Sequence, residues 1–249
     1  MCTVTIIPMH DGAGYRLVTN RDERPTRERA LAPRWVPEVL PGVRALWPID
    51  GLAGGTWVGA HEGGLSLAIL NANLPDPGPT PHPSRRLSRG GVIPRVISSR
   101  SAPEVVERLP GIEIERFDPF RLVAVHAEHD GGVRVIETIW DCRSLRSVDL
   151  GDAPACFASS GMGDHLVEPR LVLFEEMVVR PGATPERQDA FHAHRWPDRP
   201  QISVMMERRG AQTISVTALG VEPAPGVGYR LAMDYRPLAP GLVAGDLQR

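Results

Sequence analysis

The stretch "GGTWVGAHEGGLSLAILN" constrains the fold more than any other. Two β-rich runs flank a turn at His61 to Gly64, the pattern of an antiparallel hairpin. The pattern recurs along the chain. "CTVTIIP" and "YRLVTN" flank the turn residues "DGAG", and "FRLVAVHAEHDGGVRVIETIWD" turns at "HDGG". "ACFASS" reads as a short strand running into a turn. The last third returns to strands in "QISVMMER", a turn at "RGAQ", "TISVTALGV" and "YRLAMDY".

Helical signals group in the middle. Ser88 opens a helix to about Ser99, with a kink expected at Pro94. In "SAPEVVERL", Ser101 and Glu104 form a capping box and Pro103 sits in the tolerant first turn. "HLVEPRLVLFEEMV" and "TPERQDAFHAHRW" supply two more helices. Hairpins at both ends with helices between them predict an α+β layered fold. The 249 residues fit one domain over the whole chain. Residues 24–50, rich in Pro and Arg, read as irregular. Residues 74–86 form a Pro-rich loop, read as a surface excursion because strands continue on both sides.

Composition removes several chemistries. The chain contains no lysine. A Schiff-base lysine for pyridoxal phosphate and the lysine of a phosphate-binding P-loop are therefore both absent. A net charge of −2 offers nothing to a nucleic acid. Three cysteines without a CxxC pair indicate neither a disulfide framework nor a zinc ribbon. His126 and His129 have HxxH spacing but no third ligand nearby in sequence. His192 and His194 fall on different sides of a helix, so no metal is expected. No apolar run reaches the roughly 18 residues of a membrane span, and no basic n-region or A-x-A site marks a signal peptide. The expectation is a cytoplasmic protein.

Cys2 stands directly behind the initiator methionine, in a strand. Removal of Met1 would leave a thiol and a free α-amine on one residue. The amine has a reference pKa near 8, so a nucleophile and its base would share one side chain and terminus. "NRDERP" (20–25) follows the second strand. If the first two strands pair, their free ends bring Arg21, Asp22 and Glu23 beside Cys2. Arg21 there favours the thiolate and can hold a carboxylate of a substrate; an acid can orient the α-amine.

The chain resembles the NRDE family, which includes the transport and Golgi organisation 2 proteins. The resemblance is carried by "MCTVTI", "LVTNRDERPTR", "GGTWVGAHEGGLSLAILN" and "SRG" at 88–90. It continues through "FASSGMGDHLVEPRLVLFE" and "SVMMERRGAQTISVTAL", in order across nearly the whole chain. It implies an N-terminal nucleophile hydrolase fold, a four-layer αββα sandwich of two antiparallel sheets. The enzymatic analogues are cysteine-type penicillin acylases, bile-salt hydrolases and acyl-coenzyme A-dependent acyltransferases.

The resemblance implies Cys2 as nucleophile, Arg21 as an electrostatic and carboxylate-binding group, and Asp22 as the partner of the α-amine. Asn20 and Glu23 fix the turn near the substrate. Asn71, at the end of "LSLAILN", matches an oxyanion-stabilising amide, with Asn73 as its near rival. Ser159 and Ser160 stand where many relatives carry an asparagine and offer hydroxyl or backbone donors instead. "SVMMER" replaces a histidine-bearing pattern, so no histidine role carries over. Thr213, Ser215 and Thr217 line one face of their strand by alternation. The implied activity is attack on a small amide or thioester, without metal or organic cofactor. The alternative is a carrier of haem, acyl-coenzyme A or a related amphipathic ligand.

Overall fold

The computed structural model describes residues 2–9, 14–128, 131–226 and 228–238. In chain order the first strands are β1 (Cys2–Pro8), β2 (Tyr15–Glu23), β3 (Leu31–Leu40), β4 (Val43–Ile49), β5 (Val58–His61) and β6 (Leu65–Asn71). Helices α1 (Val92–Val96) and α2 (Ala102–Arg108) precede β7 (Phe120–Ala127), β8 (Val133–Trp140), β9 (Leu145–Gly151) and β10 (Ala155–Ser159). Helix α3 (Pro169–Phe174) runs into a π-helical turn (Glu175–Val179), and α4 (Pro185–Ala193) follows. The chain ends in β11 (Glu207–Arg208), β12 (Ala211–Pro223) and β13 (Tyr229–Pro237).

Two antiparallel sheets result. One runs β10-β1-β2-β12, with β11 and β13 sharing the far edge of β12. The other is a seven-stranded meander from β3 to β9 in which β5 follows β4 and β6 pairs β7. Helices α3 and α4 pack on the first sheet, α1 and α2 on the second, and β1 and β10 face β6 across the interior. The layers are αββα, as the hairpin pattern and the family resemblance imply.

The period of two in β1 sorts its side chains between two cores. Cys2, Val4 and Ile6 belong to the core between the sheets, with Tyr15 and Leu17 of β2 and Leu65 and Leu67 of β6. Ile7 instead packs with Phe174, Val178, Phe191 and Val204 under the helices. Each fully buried Leu or Ile contributes about 1.5–3 kcal/mol. Thr3 and Thr5, on the helix-facing side with Ile7, are buried and meet Arg170 and His192 through their hydroxyls.

Four expectations need correction. Residues 24–50 are not irregular: β3 and β4 form a hairpin there. Pro33 and Pro37 are compatible with β3 because it is the edge of its sheet, where a missing N–H breaks no ladder, and its register shifts twice. "QISVMMER" is not a strand beyond the two residues of β11. Its Val204, Met205 and Met206 are buried, and Met205 N–H donates to the His194 carbonyl at 3.0 Å. The helix opening at Ser88 is a 3-10 turn, Arg89–Gly91, followed by the five residues of α1. At α2 the Ser101 side chain caps Glu104 N–H as expected, but the Glu104 carboxylate takes the Arg100 N–H, one residue before the usual partner. The strand β9 carried no alternating apolar signal, since its residues are mostly exposed. Parts of the expected "DGAG" and "HDGG" turns lie outside the described residues.

Candidate active site

The β1–β2 register sets Cys2 directly opposite Arg21. Opposed residues share a sheet face, so both point inward, between the sheets. On the other side of β1, Ser159 of β10 pairs with Cys2, and its Oγ accepts a hydrogen bond from Cys2 N at 3.3 Å. The backbone N–H of Asp22 reaches the thiol. Cys2, Arg21, Asp22, Glu23 and Asn71 all line one cleft of about 420 Å³.

Arg21 is held by two contacts and is nearly buried. Its Nη2 donates to Asp50 Oδ2, its guanidinium lies 4.2 Å from the Trp57 ring centre, and its side chain is only 8% exposed. Asp50 is itself fixed. It accepts from Leu52 and Ala53 N–H at 3.1 and 2.7 Å and from Arg27 at 2.9 to 3.1 Å. Burial acts to raise the Asp50 carboxyl, but the Ala53 N–H and the two guanidiniums outweigh it and hold it below the usual carboxylate range. Arg21 thus already meets one carboxylate, that of Asp50, through Nη2, while its Nη1 has no hydrogen-bond partner among the described residues.

Asp22 faces the other way, toward the helices. Its Oδ1 accepts from Thr213 Oγ1 at 2.6 Å, and Arg170 Nη1 lies 3.7 Å from Oδ2 with both side chains essentially unexposed. Arg170 also donates to Thr3 Oγ1 at 2.7 Å and to the Ile202 carbonyl at 3.0 Å. Burial raises the Asp22 carboxyl above the ordinary carboxylate range, against the pull of Arg170 and the Thr213 hydroxyl. A β-bulge between Thr213 and Ser215 makes this contact. The extra residue reverses the side-chain parity, so Thr213 pairs with Asp22 while Ser215 pairs with Arg21. The three hydroxyls expected on one face are thereby split.

The remaining sites fall into two groups. Asn20 is fully buried on the helix-facing side. Its Nδ2 donates to the carbonyls of His192 and Val204, both at 2.9 Å, and its Oδ1 meets His192 Nδ1 at 2.8 Å; it ties sheet to helix and lines no part of the cleft. Glu23 pairs with Arg27 at 3.3 Å at the cleft's edge. Asp164 ties Asn73 to the turn that holds Ser160: its carboxylate accepts from Asn73 N–H, Asn73 Nδ2 and Ser160 N–H at 2.9 to 3.2 Å. Of the two asparagines, Asn71 lines the Cys2 cleft and Asn73 the neighbouring cavity.

Burial pushes the Cys2 thiol above its ordinary value, with Asp22 adding to the rise and Arg21 opposing it. Desolvation thus outweighs the pull of the Arg21 guanidinium toward the thiolate. Cys156 is pushed up by burial to about 12, and Cys142 is also raised by burial. No group of three or more His, Cys, Asp or Glu side chains among the described residues is arranged to hold a metal ion.

Sequence reading missed Asp50, Trp57 and Arg170. Asp50 carried a weak signal, an acid before glycine in "PIDG". Arg170 is the lone cation in the otherwise apolar "PRLVLF" of α3, a pattern that marks a buried, paired charge.

Residues 1–147 match the family model described as Transport and Golgi organisation 2, more than half of the chain. The chain belongs to the transport and Golgi organisation 2 family. No curated protein matches it. Among solved structures, a mutant of the conjugated bile acid hydrolase of Clostridium perfringens superposes with a TM-score of 0.56 at 11% identity, covering 98% of this chain and 94% of that one. A second variant of that hydrolase gives 0.54 at 12% identity with the same coverage. The Caenorhabditis elegans ortholog of N-acylethanolamine-hydrolyzing acid amidase gives 0.53 at 11%, covering 88% and 92%. These likenesses give this family member the N-terminal nucleophile hydrolase fold. No helix among the described residues is long and apolar enough to cross a membrane.

Proposed function

We propose that this protein is a cysteine-type N-terminal nucleophile amidohydrolase or acyltransferase acting on a small amide or thioester through Cys2. The observation that carries the reading is the register. Cys2 faces Arg21 across β1 and β2 and opens into the cleft that Asn71 also lines. The names of the fold neighbours, hydrolases of conjugated bile acids and N-acylethanolamines, agree with this class of reaction.

In this scheme Met1 is removed and the Cys2 nitrogen becomes a free amine. The Ser159 hydroxyl holds its position, and the nearby Asp22 carboxylate supplies the counter-charge once the amine is protonated. Because burial raises the thiol, the thiolate is not stored; the amine takes the proton as sulfur attacks. The Sγ–C bond forms and the carbonyl oxygen becomes an oxyanion. The Asn71 amide donates to it, an interaction worth about 3 kcal/mol where such donors have been removed. The tetrahedral species collapses, the C–N or C–S bond breaks, and the ammonium returns its proton to the leaving group. Water or an acceptor amine then attacks the thioester, giving its proton to the Cys2 amine, and the Cys2 thiol is regenerated.

Intact-mass measurement of the purified protein and acylation by a butyryl S-phenyl thioester test the scheme. The expected result is loss of the Met1 mass and an acyl adduct on residue 2 that Cys2→Ser abolishes. Retention of Met1, or equal acylation of Cys142 and Cys156, would overturn it.

A further inference from the structure

The "SRG" segment has no part in the chemistry above, yet it builds one wall of the Cys2 cleft. The wall is clamped. The Gly90 carbonyl accepts from Thr56 N–H at 3.0 Å, and a Cβ on Gly55 would lie 2.4 Å from the Gly90 carbonyl carbon, so only glycine permits the approach. Arg89 Nε donates to the Pro119 carbonyl at 2.8 Å. Arg89 and Arg86 both turn to a single acid: Arg86 Nε is 3.2 Å from Asp118 Oδ1 and Arg89 Nη2 is 3.8 Å from Asp118 Oδ2. These three side chains line the Cys2 cleft on one side and a second cavity of about 540 Å³ on the other, bounded by Asn73, Met162 and His165.

The charges elsewhere in the cleft are matched. Arg21 and Arg27 meet Asp50, Arg27 also meets Glu23, and Asp22 has Arg170 behind it. At the wall, two guanidiniums share one carboxylate, and neither makes the short paired contact that a guanidinium fork offers an anion. Arg89 is partly desolvated, and burial lowers its pKa; an anion there would relieve the penalty.

We propose that the substrate carries a carboxylate close to its reacting carbonyl and that Arg86 and Arg89 bind it. The inference rests on Cys2 as the nucleophile and assigns the anion-reading role to this wall, where two guanidiniums share one carboxylate, rather than to Arg21, whose Nη2 is taken by Asp50 and which keeps only Nη1 without a partner among the described residues. The substrate class is then a half-amide or half-thioester of a short dicarboxylic acid, or an acyl compound whose leaving group bears the carboxylate.

Two probe pairs test it. Hemiglutaryl S-phenyl thioester is compared with its neutral methyl ester, and the butyryl thioester of mercaptoacetate with its methyl ester. In each, Cys2 sulfur bonds to the carbonyl carbon, the old C–S bond breaks, and the thiol leaves with the proton taken from Cys2. The expected result is at least about tenfold faster acylation of Cys2 by the anionic member of one pair, the scale of one charge-assisted contact. That preference should fall toward unity in Arg89→Gln and in Arg86→Gln. The latter removes a 43% exposed side chain and leaves the fold intact should Arg89→Gln not fold. Equal rates within both pairs would overturn the inference while leaving the nucleophile standing. If no probe acylates Cys2, the nucleophile reading fails, and glutarate binding to Cys2→Ala protein decides the wall by itself. A thermal shift with glutarate that Arg86→Gln removes supports it, and absence of a shift overturns it.

Discussion

Replacing Arg170 with methionine removes a cation from a site with essentially no solvent. Its side chain is 1% exposed and that of Asp22 0%, with 3.7 Å between Nη1 and Oδ2. The substitution keeps most of the apolar stem and removes the guanidinium, so the dominant effect is an uncompensated acid in the protein interior. Breaking a buried pair from one side costs about 3–5 kcal/mol. The lost bonds to Thr3 and Ile202 fall within that range, because contributions from one network do not add. For a chain of this size about 1 kcal/mol moves the melting temperature by roughly 2–4 °C, so a fall on the order of 10 °C is expected. The sign with pH follows from the Asp22 carboxyl, whose native pKa is raised by burial. A raised native value contributes stability that is complete below the unfolded pKa of about 3.9 and is lost as pH rises through the native value. Without Arg170 the native value rises further. The deficit of Arg170→Met against wild type should therefore be small near pH 4 and largest near neutrality. Urea denaturation at several pH values gives both numbers. A double variant, Arg170→Met with Asp22→Asn, should recover part of the loss, since the stranded charge is then gone. Purely additive losses in the double variant, or a deficit independent of pH, would refute the account of Arg170 as the counter-ion of Asp22.

The remaining predictions separate the two faces of β2 and the polar networks around it. Asn71→Ala should leave stability nearly unchanged and slow deacylation or acylation at Cys2 by about 10²–10³-fold. Asn20→Ala should instead lower stability by at least about 2 kcal/mol in chemical denaturation, because the His192 and Val204 carbonyls lose their buried donor. Asp50→Asn should destabilise the protein at pH 7. The gap to wild type should close as pH falls below about 4, since the Asp50 carboxyl is held below the usual range and its contribution disappears when it protonates. His192 is pushed well below its ordinary value by burial and neighbouring arginines, and it sits between the Thr5 hydroxyl and the Asn20 amide. Its contribution is complete above pH 6.5 and lost on acidification; His192→Gln should flatten the decline of stability between pH 6.5 and 4.

What the sequence by itself determined was local. The period of two in "CTVTIIP" and "YRLVTN", with turn residues between them, is enough to pair these strands and bring Cys2 to Arg21, because the hairpin closes over only a few residues. The hairpin at His61 to Gly64, the helices from "EPRL" and "TPER", and the α+β layering were legible for the same reason. The tertiary structure decided the rest. Alternation alone could not say that Asn20 faces the helices and Arg21 the cleft, since a one-residue slip exchanges the faces. The bulge before Ser215 moved Thr213 onto Asp22. Asp50, Trp57, Arg170 and the Arg86–Asp118–Arg89 wall reach the site from elements 29 to 168 residues beyond Cys2 or Arg21 in number, and only the stacking of the two sheets brings them there. A side chain's charge is written in the sequence; its counter-charge and its distance from water are properties of the packed molecule.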